Sequence, residues 1–487
     1  MSTEDKIIES RKEKVKNLNK MGVDPYPNKI NRSFSIAMAL DKFSELEEKK
    51  EIDLVGRIMA IRDHGKFSFF DIKDESGNIQ GFIGEATLGP DGYSFFQDHV
   101  DRGDFIEVKG NLFKTKTDEP SIKGRDIKIL SKSLRPLPSE WYGLEDVEKR
   151  YRKRYLDLVL NPEVKEKFEI RFKTIKAIRE FLQKEGFQEV DTPILQPRYG
   201  GAQATPFITH HEALDTDLYL RIAPELYLKR LLIGGFEKVF EIGKNFRNEG
   251  MDKHHNPEFT SLEFYWAYAN YKELMKLAED LFCYIVKETT GKEKITYQEE
   301  EIDFSQPWER IEFTDLLVKH TDIKYDEYDR EGLKKKAEEL GVNVDNAYSK
   351  PEIADRIYKK HCRPHLQQPT FLIHHPIGFQ PLAKTSKKDP TKTDNFLIVI
   401  AGAEVTNAFC EQNNPLTQRE VFEEQEKNYQ EGSKEAQRMN KEFLKALEYG
   451  MPPAVGFGMG VDRLITILTN SKSIREVILF PTMKNNK

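Results

Sequence analysis

The run Phe240-Glu241-Ile242-Gly243-Lys244-Asn245-Phe246-Arg247-Asn248-Glu249, a turn-prone stretch from Gly250 to Pro257, and then Glu258-Phe259-Thr260-Ser261-Leu262-Glu263-Phe264-Tyr265 constrain the fold more than any other part of the chain. Two strand-forming runs joined by a polar loop make an antiparallel hairpin, and period-two alternation sorts their side chains. Arg247 and Glu249 share a face. Phe259, Ser261, Glu263 and Tyr265 share a face on the second strand, and Leu262, Phe264 and Trp266 take the other. One side suits a core, while the other gathers an arginine, acids, a phenyl ring and a tyrosine. Charges on a central strand need a ligand or partners, because burying them uncompensated is costly.

Two more segments have this character. In Ala401-Gly402-Ala403-Glu404-Val405-Thr406-Asn407-Ala408-Phe409-Cys410-Glu411, Asn407 and Glu411 share strand parity, whereas Glu404 needs a bulge or twist to join them. In Gly456-Phe457-Gly458-Met459-Gly460-Val461-Asp462-Arg463, glycines alternate along a strand that hands over to a helix at Arg463. Such glycines permit close backbone approach, and an arginine at the handover suits a phosphate or a ring. The pattern is neither a Walker loop nor a dinucleotide fingerprint.

The other regions set the organisation. With 487 residues, the chain has room for two to four domains. Acids (82) slightly outnumber bases (76), so nucleic-acid binding requires locally clustered bases. Residues 3 to 21 form a basic amphipathic helix with Ile8, Val15 and Leu18 on one stripe and Arg11, Lys12, Lys14, Lys16 and Lys20 largely off it. Short strands follow at Asp53 to Arg62, Phe67 to Ile72, Ile79 to Gly84, Phe105 to Phe113 and Ser121 to Leu130, with a helical piece near Tyr93, as in a small OB-type barrel. Phe69 and Gln80 fall on its second and third strands, suited to stacking on a base and reading its edge; Phe69 alone fits the barrel core equally well. The run Lys149-Arg150-Tyr151-Arg152-Lys153-Arg154 in a connector is a plausible phosphate-contact patch or a solvated linker.

The expected divisions are a helix and lead-in over 1–48, a barrel over 49–135, a basic linker over 136–155 and a large α+β unit over 156–487, with a helical element at about 312–365. In the last unit, a helix carries Phe168, Phe172, Ile175, Ile178 and Leu182 on one stripe, and a strand runs from Phe187 to Thr192. No apolar run approaches the ~18 residues of a membrane span, the N-terminus lacks the marks of a signal peptide, and the three cysteines are scattered, which together predict a cytoplasmic protein. His361, Cys362, His365, His374 and His375 match no standard zinc spacing.

The three segments, with Gly200-Gly201-Ala202 and Arg221-Ile222-Ala223-Pro224-Glu225-Leu226-Tyr227, resemble the signature motifs of class II aminoacyl-tRNA synthetases, and most closely the lysyl-tRNA synthetase family, over essentially the whole chain. The resemblance implies an α+β fold: a mostly antiparallel six-stranded sheet with flanking helices, plus an N-terminal OB-fold barrel. It also implies a homodimer and a reaction: ATP-dependent ligation of L-lysine to tRNA(Lys) through a lysyl-adenylate, releasing AMP and pyrophosphate. By that pattern Arg247 and Arg463 are catalytic, and ATP is held by Arg247, Glu249, His255, Asn256, Phe259, Glu404 and Arg463. Lysine is held by Gly201, Glu225, Arg247, Glu263, Tyr265, Asn407 and Glu411, Mg²⁺ by Glu404 with Glu249, and tRNA by Phe69, Gln80 and Arg62. The two acids Glu263 and Glu411 beside Tyr265 suit an ammonium at the pocket base, since its desolvation must be offset by carboxylates.

Four positions depart from the family pattern: Leu397 where an acid is usual, Thr205 and Ala403 where bases are common, and Asn414 where aspartate is usual. They lie near the nucleotide and metal region and bear on catalysis more than on fold. Two other classes are an adenylating enzyme acting on a protein, disfavoured by the barrel and basic helix, and a silent RNA-binding protein, which Leu397 favours.

Overall fold

The computed structural model describes residues 2–47, 50–138, 146–345, 347, 349–430 and 439–484; the expected boundary at 48/49 and the linker positions 139–145 lie outside them. Two compact units divide the chain, residues 1–145 and 146–487.

In the first unit, helix α1 (Thr3–Lys20) starts at a capping box in which Ser2 and Asp5 satisfy each other's backbone N–H groups. Its basic residues are less free than their spacing predicts. Arg11 is buried and donates to the carbonyls of Ser133 (2.9 Å), Arg135 (3.2 Å) and Arg102 (2.9 Å), and Lys14 pairs with Asp101 at 2.9 Å. A guanidinium has five donors, and loop carbonyls that need partners attract it inward. Strands β1 (Ile52–Asp63), β2 (Phe67–Lys73), β3 (Asn78–Gly84), β4 (Phe105–Lys114) and β5 (Pro120–Ser131) close into a barrel in the order β1-β2-β3-β5-β4. Alternation fills it: Ile58, Phe70, Ile72, Ile83 and Val108 are fully buried. A Cβ at Gly81 would meet the Phe70 ring at 2.1 Å, so glycine there makes room for the largest inward side chain.

The second unit begins with helices α2 (Val147–Arg152) and α3 (Arg154–Leu160), and these absorb the expected basic connector. Arg154 is buried against Asp157 (2.6 Å) and the carbonyls of Arg475 and Leu479, Tyr151 is buried, and Arg150 also pairs with Asp157. Arg150 and Arg154 thus serve buried partners, while Lys149 and Lys153 of the same run are exposed. Helix α4 (Pro162–Lys184) buries Phe168, Ile178 and Leu182 as the stripe predicts, but Phe172 is 57% exposed. At 100° per residue, Phe172 stands off the line through 168, 171 and 178. The expected strand from Phe187 to Thr192 shrinks to β6 (Gln188–Glu189).

An eight-stranded sheet forms the centre of this unit, built also from β7 (Lys238–Phe246), β8 (Glu258–Ala267), β9 (Glu309–Glu312), β10 (Thr370–Ile373), β11 (Asn395–Ile400), β12 (Ala403–Cys410) and β13 (Ala454–Gly460). The order is β9-β10-β11-β12-β13-β8-β7-β6. The inner six strands are antiparallel, as expected, and the two additional edge strands β9 and β6 pair in parallel. A parallel pair needs a crossover, and the 312–365 region supplies it between β9 and β10. Its helices Phe313–Thr321, Arg330–Glu339 and Lys350–Ile357 enclose a core that includes Leu372 and Val399 of the sheet, so the element packs on the sheet. Leu262 and Phe264 join Phe396, Ile398, Val405 and Phe457 in the main core on the opposite face.

Candidate active site

Strands β7 and β8 pair in the register Glu241↔Glu263, Gly243↔Ser261 and Asn245↔Phe259. Arg247 and Glu249 sit just past the end of β7, in the loop, where Arg247 N–H donates to the Pro257 carbonyl at 2.8 Å. Asp252 organises the loop, its carboxylate accepting from the N–H groups of His254 and His255. Hydrogen-bonding with these donors keeps its pKa low despite partial burial. The Arg247 guanidinium lies 5.0 Å from the Phe259 ring centroid, and its Nε is buried without a partner. Asn256 is buried, donates to the Glu258 carbonyl at 2.6 Å and leaves its Oδ1 unsatisfied.

The bulge that Glu404 requires is present. Ile398 pairs with Thr406 and Val399 with Glu404, so Val405 is an extra residue on β12 that turns inward. Glu404 is thereby brought onto the face of Asn407 and Leu397, the latter two being direct cross-strand partners. Arg363 pairs with the Glu404 carboxylate at 3.2 Å, and Arg463 donates to the Glu404 carbonyl at 2.8 Å while lying 3.4 Å from His255 Nε2. Helix α5 (Val461–Leu468), which carries Arg463, is anchored by a buried ion pair between Arg171 and Asp462; Arg171 also donates to Thr260 Oγ1 at 2.9 Å. These contacts tie α5 to β8 and α4, and so fix Arg463.

Glu225, Glu263, Tyr265 and Glu411 come together in a buried pocket. The Tyr265 hydroxyl donates to Glu263 at 3.2 Å, and burial next to Glu225 pushes the Glu263 carboxyl up to about 8. Burial also raises Glu411 and Tyr265. Gly201, at φ +87, backs Glu225: a Cβ would lie 2.9 Å from that of Glu225, in a conformation that side chains avoid. Gly456 is needed for room, since its Cβ would stand 2.0 Å from Glu411 Oε1 and 2.6 Å from the Tyr265 ring.

Three residues of this region escape reading by pattern. Lys229, in the helix Glu225–Ile233, is fully buried, 2.6 Å from Glu225 and ion-paired with Glu411. Arg363 reaches Glu404 from the crossover, and Arg221 is buried against Glu241. Conversely, Asn407 is exposed and accepts from Gln380 at 2.6 Å. Glu249 accepts a long contact from Thr205 N–H, 3.4 Å. Among the described residues no three His, Cys, Asp or Glu side chains gather as a metal site.

In the barrel unit, Phe69 lies on the outer face with Phe67 and Phe82, their ring centroids 5.3 to 5.9 Å apart. Arg62 stands across from Phe69 and forms a two-pronged pair with Asp71, and Asp71 stands across from Gln80, which accepts from Ser121 at 3.1 Å.

The family model described as tRNA synthetases class II (D, K and N) matches residues 146–484, and one described as an OB-fold nucleic acid binding domain matches 52–130. Among curated proteins, the chain is 46% identical to a lysine–tRNA ligase of Moorella thermoacetica, covering 99% of each chain. It is 47% identical to those of Pelotomaculum thermopropionicum (98% of this chain, 95% of the relative) and Carboxydothermus hydrogenoformans (98% of each). The chain belongs to the class II lysyl-tRNA synthetases. This synthetase thus combines a nucleic-acid-binding barrel with a catalytic unit in which an arginine-rich rim, Arg247, Arg363 and Arg463, adjoins a carboxylate-rich base. Among its described residues no helix is long and apolar enough to cross a membrane.

Proposed function

We propose that this synthetase, which attaches lysine to tRNA at the expense of ATP, holds the lysine side-chain ammonium among Glu263, Glu411 and Tyr265, and its carboxylate on Arg247. One observation carries the reading: Glu263 is buried with a tyrosine hydroxyl as its only hydrogen-bond partner among the described residues, and its carboxyl is held at about 8. A buried carboxylate is stable only beside a cation, and an entering ammonium supplies one. Gly201 and Glu225 take the α-ammonium, and Asn407 supports the carboxylate. Aspartate and asparagine bring no cationic side chain and leave this base uncompensated.

Activation joins the lysine carboxylate to the α-phosphorus of ATP and expels pyrophosphate, so no protein nucleophile is needed. What the chain contributes is position and positive potential. Arg247 reaches both the substrate carboxylate and the α-phosphate, its unpartnered Nε being one donor held ready, and Arg463 meets charge developing on the phosphates. Glu249, His255 and Asn256 hold the nucleotide, with adenine between Phe259 and Arg463. Glu404 offers one carboxylate and Leu397 none, a donor set that fits a Mg²⁺ shared with ATP phosphates but not an ion caged by protein. When bound, that ion would neutralise phosphate charge. In the second half-reaction a tRNA terminal hydroxyl takes the lysyl group from the adenylate; Phe69, Gln80 and Arg62 engage tRNA bases and phosphates on the barrel. The exposure of Phe172 on α4 supports a homodimer in which a second copy would cover it, testable by sedimentation.

Amino-acid-dependent ATP–pyrophosphate exchange, run with all twenty amino acids across a Mg²⁺ titration, tests the reading. Exchange with lysine alone is expected. Folded protein that exchanges with another amino acid, or with none, overturns the pocket assignment.

A further inference from the structure

The pocket holds three buried carboxylates, those of Glu225, Glu263 and Glu411, and one buried amine, that of Lys229. Lys229 follows Glu225 by one helical turn, so its Nζ meets Glu225 Oε1 at 2.6 Å and reaches across to Glu411 at the end of β12. The rings of Phe409 and Phe443 flank Nζ, with centroids at 5.5 and 5.8 Å. Two carboxylates and two ring faces outweigh the cost of burial, and the amine is held above its ordinary pKa, as an ammonium. Among the described residues no other cation pairs with Glu225 or Glu411. Among the same residues Glu263 has only the Tyr265 hydroxyl as a hydrogen-bond partner.

We propose that Lys229 is a specificity-determining positioning residue: a resident ammonium that holds Glu225 and Glu411 at a fixed spacing and, once all three carboxyls are ionised, leaves the group with a net charge of −2. The inference rests on the lysine pocket proposed above. That charge, completed when lysine binding ionises Glu263, matches the two ammonium groups of a lysine whose carboxylate sits on Arg247. The fixed position of Glu411 sets how long the side chain between those ammonium groups must be. Without Lys229, Glu225 and Glu411 lose their shared cation, and the substrate's own ammonium takes its place between them. The pocket then ceases to measure chain length. Lys229 touches neither the α-phosphate site nor the Arg363–Glu404 pair, so nucleotide binding is independent of it.

The test is pyrophosphate exchange by the full-length protein with lysine and with ornithine, which is shorter by one methylene. Lys229→Met should raise KM for lysine about tenfold or more, leave KM for ATP unchanged, and reduce the preference for lysine over ornithine. Lys229→Ala should regain lysine affinity when ethylammonium is added. Unchanged lysine KM and selectivity in folded variants overturn the inference, as does a parallel rise in both KM values or no response to the amine. If the single variants do not fold, Lys229→Met with Glu411→Gln removes the cation together with one acid; retained selectivity there, or failure of this variant also to fold, overturns it. Wild-type protein inactive with lysine would remove the pocket reading itself. Wild-type activity with indifferent variants would remove only the role of Lys229.

Discussion

Replacing Glu263 by glutamine swaps a carboxylate for a neutral group of the same shape, which also mimics its protonated form. Truncating one partner of a buried charge pair costs about 2–5 kcal/mol when the pair is fully ionised. The wild-type protein does not realise all of this at neutral pH. Its carboxyl sits at about 8, raised by burial and by Glu225 and Glu241 against the pull of Tyr265 and Arg247. Ionising it at pH 7 therefore absorbs ~1.4 kcal/mol, one pH unit's worth. The variant should lose about 1–3 kcal/mol of lysine affinity at pH 7, roughly 5- to 150-fold in Kd. The sign follows from the raised pKa: this group makes wild-type affinity climb as pH rises toward 8 and then level, whereas the variant keeps only the dependence that Glu225 and Glu411 supply to both proteins, so the ratio of the two widens with pH. Lysine binding to the wild type at pH 7 should release ~0.9 proton from this group. Calorimetric titration of lysine in two buffers of different ionisation enthalpy, repeated from about pH 6 to 9, reads affinity and proton release together. A constant ratio with no proton released refutes the reasoning, because the carboxyl would then be ionised before lysine arrives or out of its reach.

Other outcomes follow from the same geometry. Gly456→Ala places a carbon 2.0 Å from Glu411 Oε1 and should weaken lysine binding while sparing ATP binding, measured as separate KM values in the exchange assay. Phe69→Ala should lower tRNA charging without changing lysine activation or the melting temperature, whereas Phe70→Ala, in the barrel interior, should cost about 3–5 kcal/mol of stability in a denaturant titration. Arg171→Met strands Asp462 in the core and should cost about 3–5 kcal/mol by the same measurement, with residual activity limited by a misplaced Arg463. If Arg363 competes with cations for Glu404, Arg363→Gln should lower the Mg²⁺ concentration needed for half-maximal exchange.

Alternation made the sheet legible, because on β8 a single residue type pattern separates Leu262 and Phe264 from Glu263 and Tyr265 with no exception. The barrel was legible for the same reason, aided by turn residues between its strands. Lys229 was not: a lysine in a helix ordinarily faces water, and only the apolar neighbours Leu226, Leu228, Leu231 and Leu232 on both sides signal that this one has no solvent face to occupy. Arg363 was missed because its partner lies 41 positions away, across the crossover. In the basic run 149–154 charge density did not reveal partners: Asp157 with the carbonyls near 475–479 claims Arg150 and Arg154, and Lys149 and Lys153 stay exposed.

Removing Val405, the extra residue on β12, would leave Glu404 across from Val399, now two residues from Asn407 in regular pairing and on the same face, so the carboxylate would keep its place while the main core lost one side chain. The bulge therefore lets one short segment serve two faces at once: it feeds an apolar side chain to the core without moving the acid beside it.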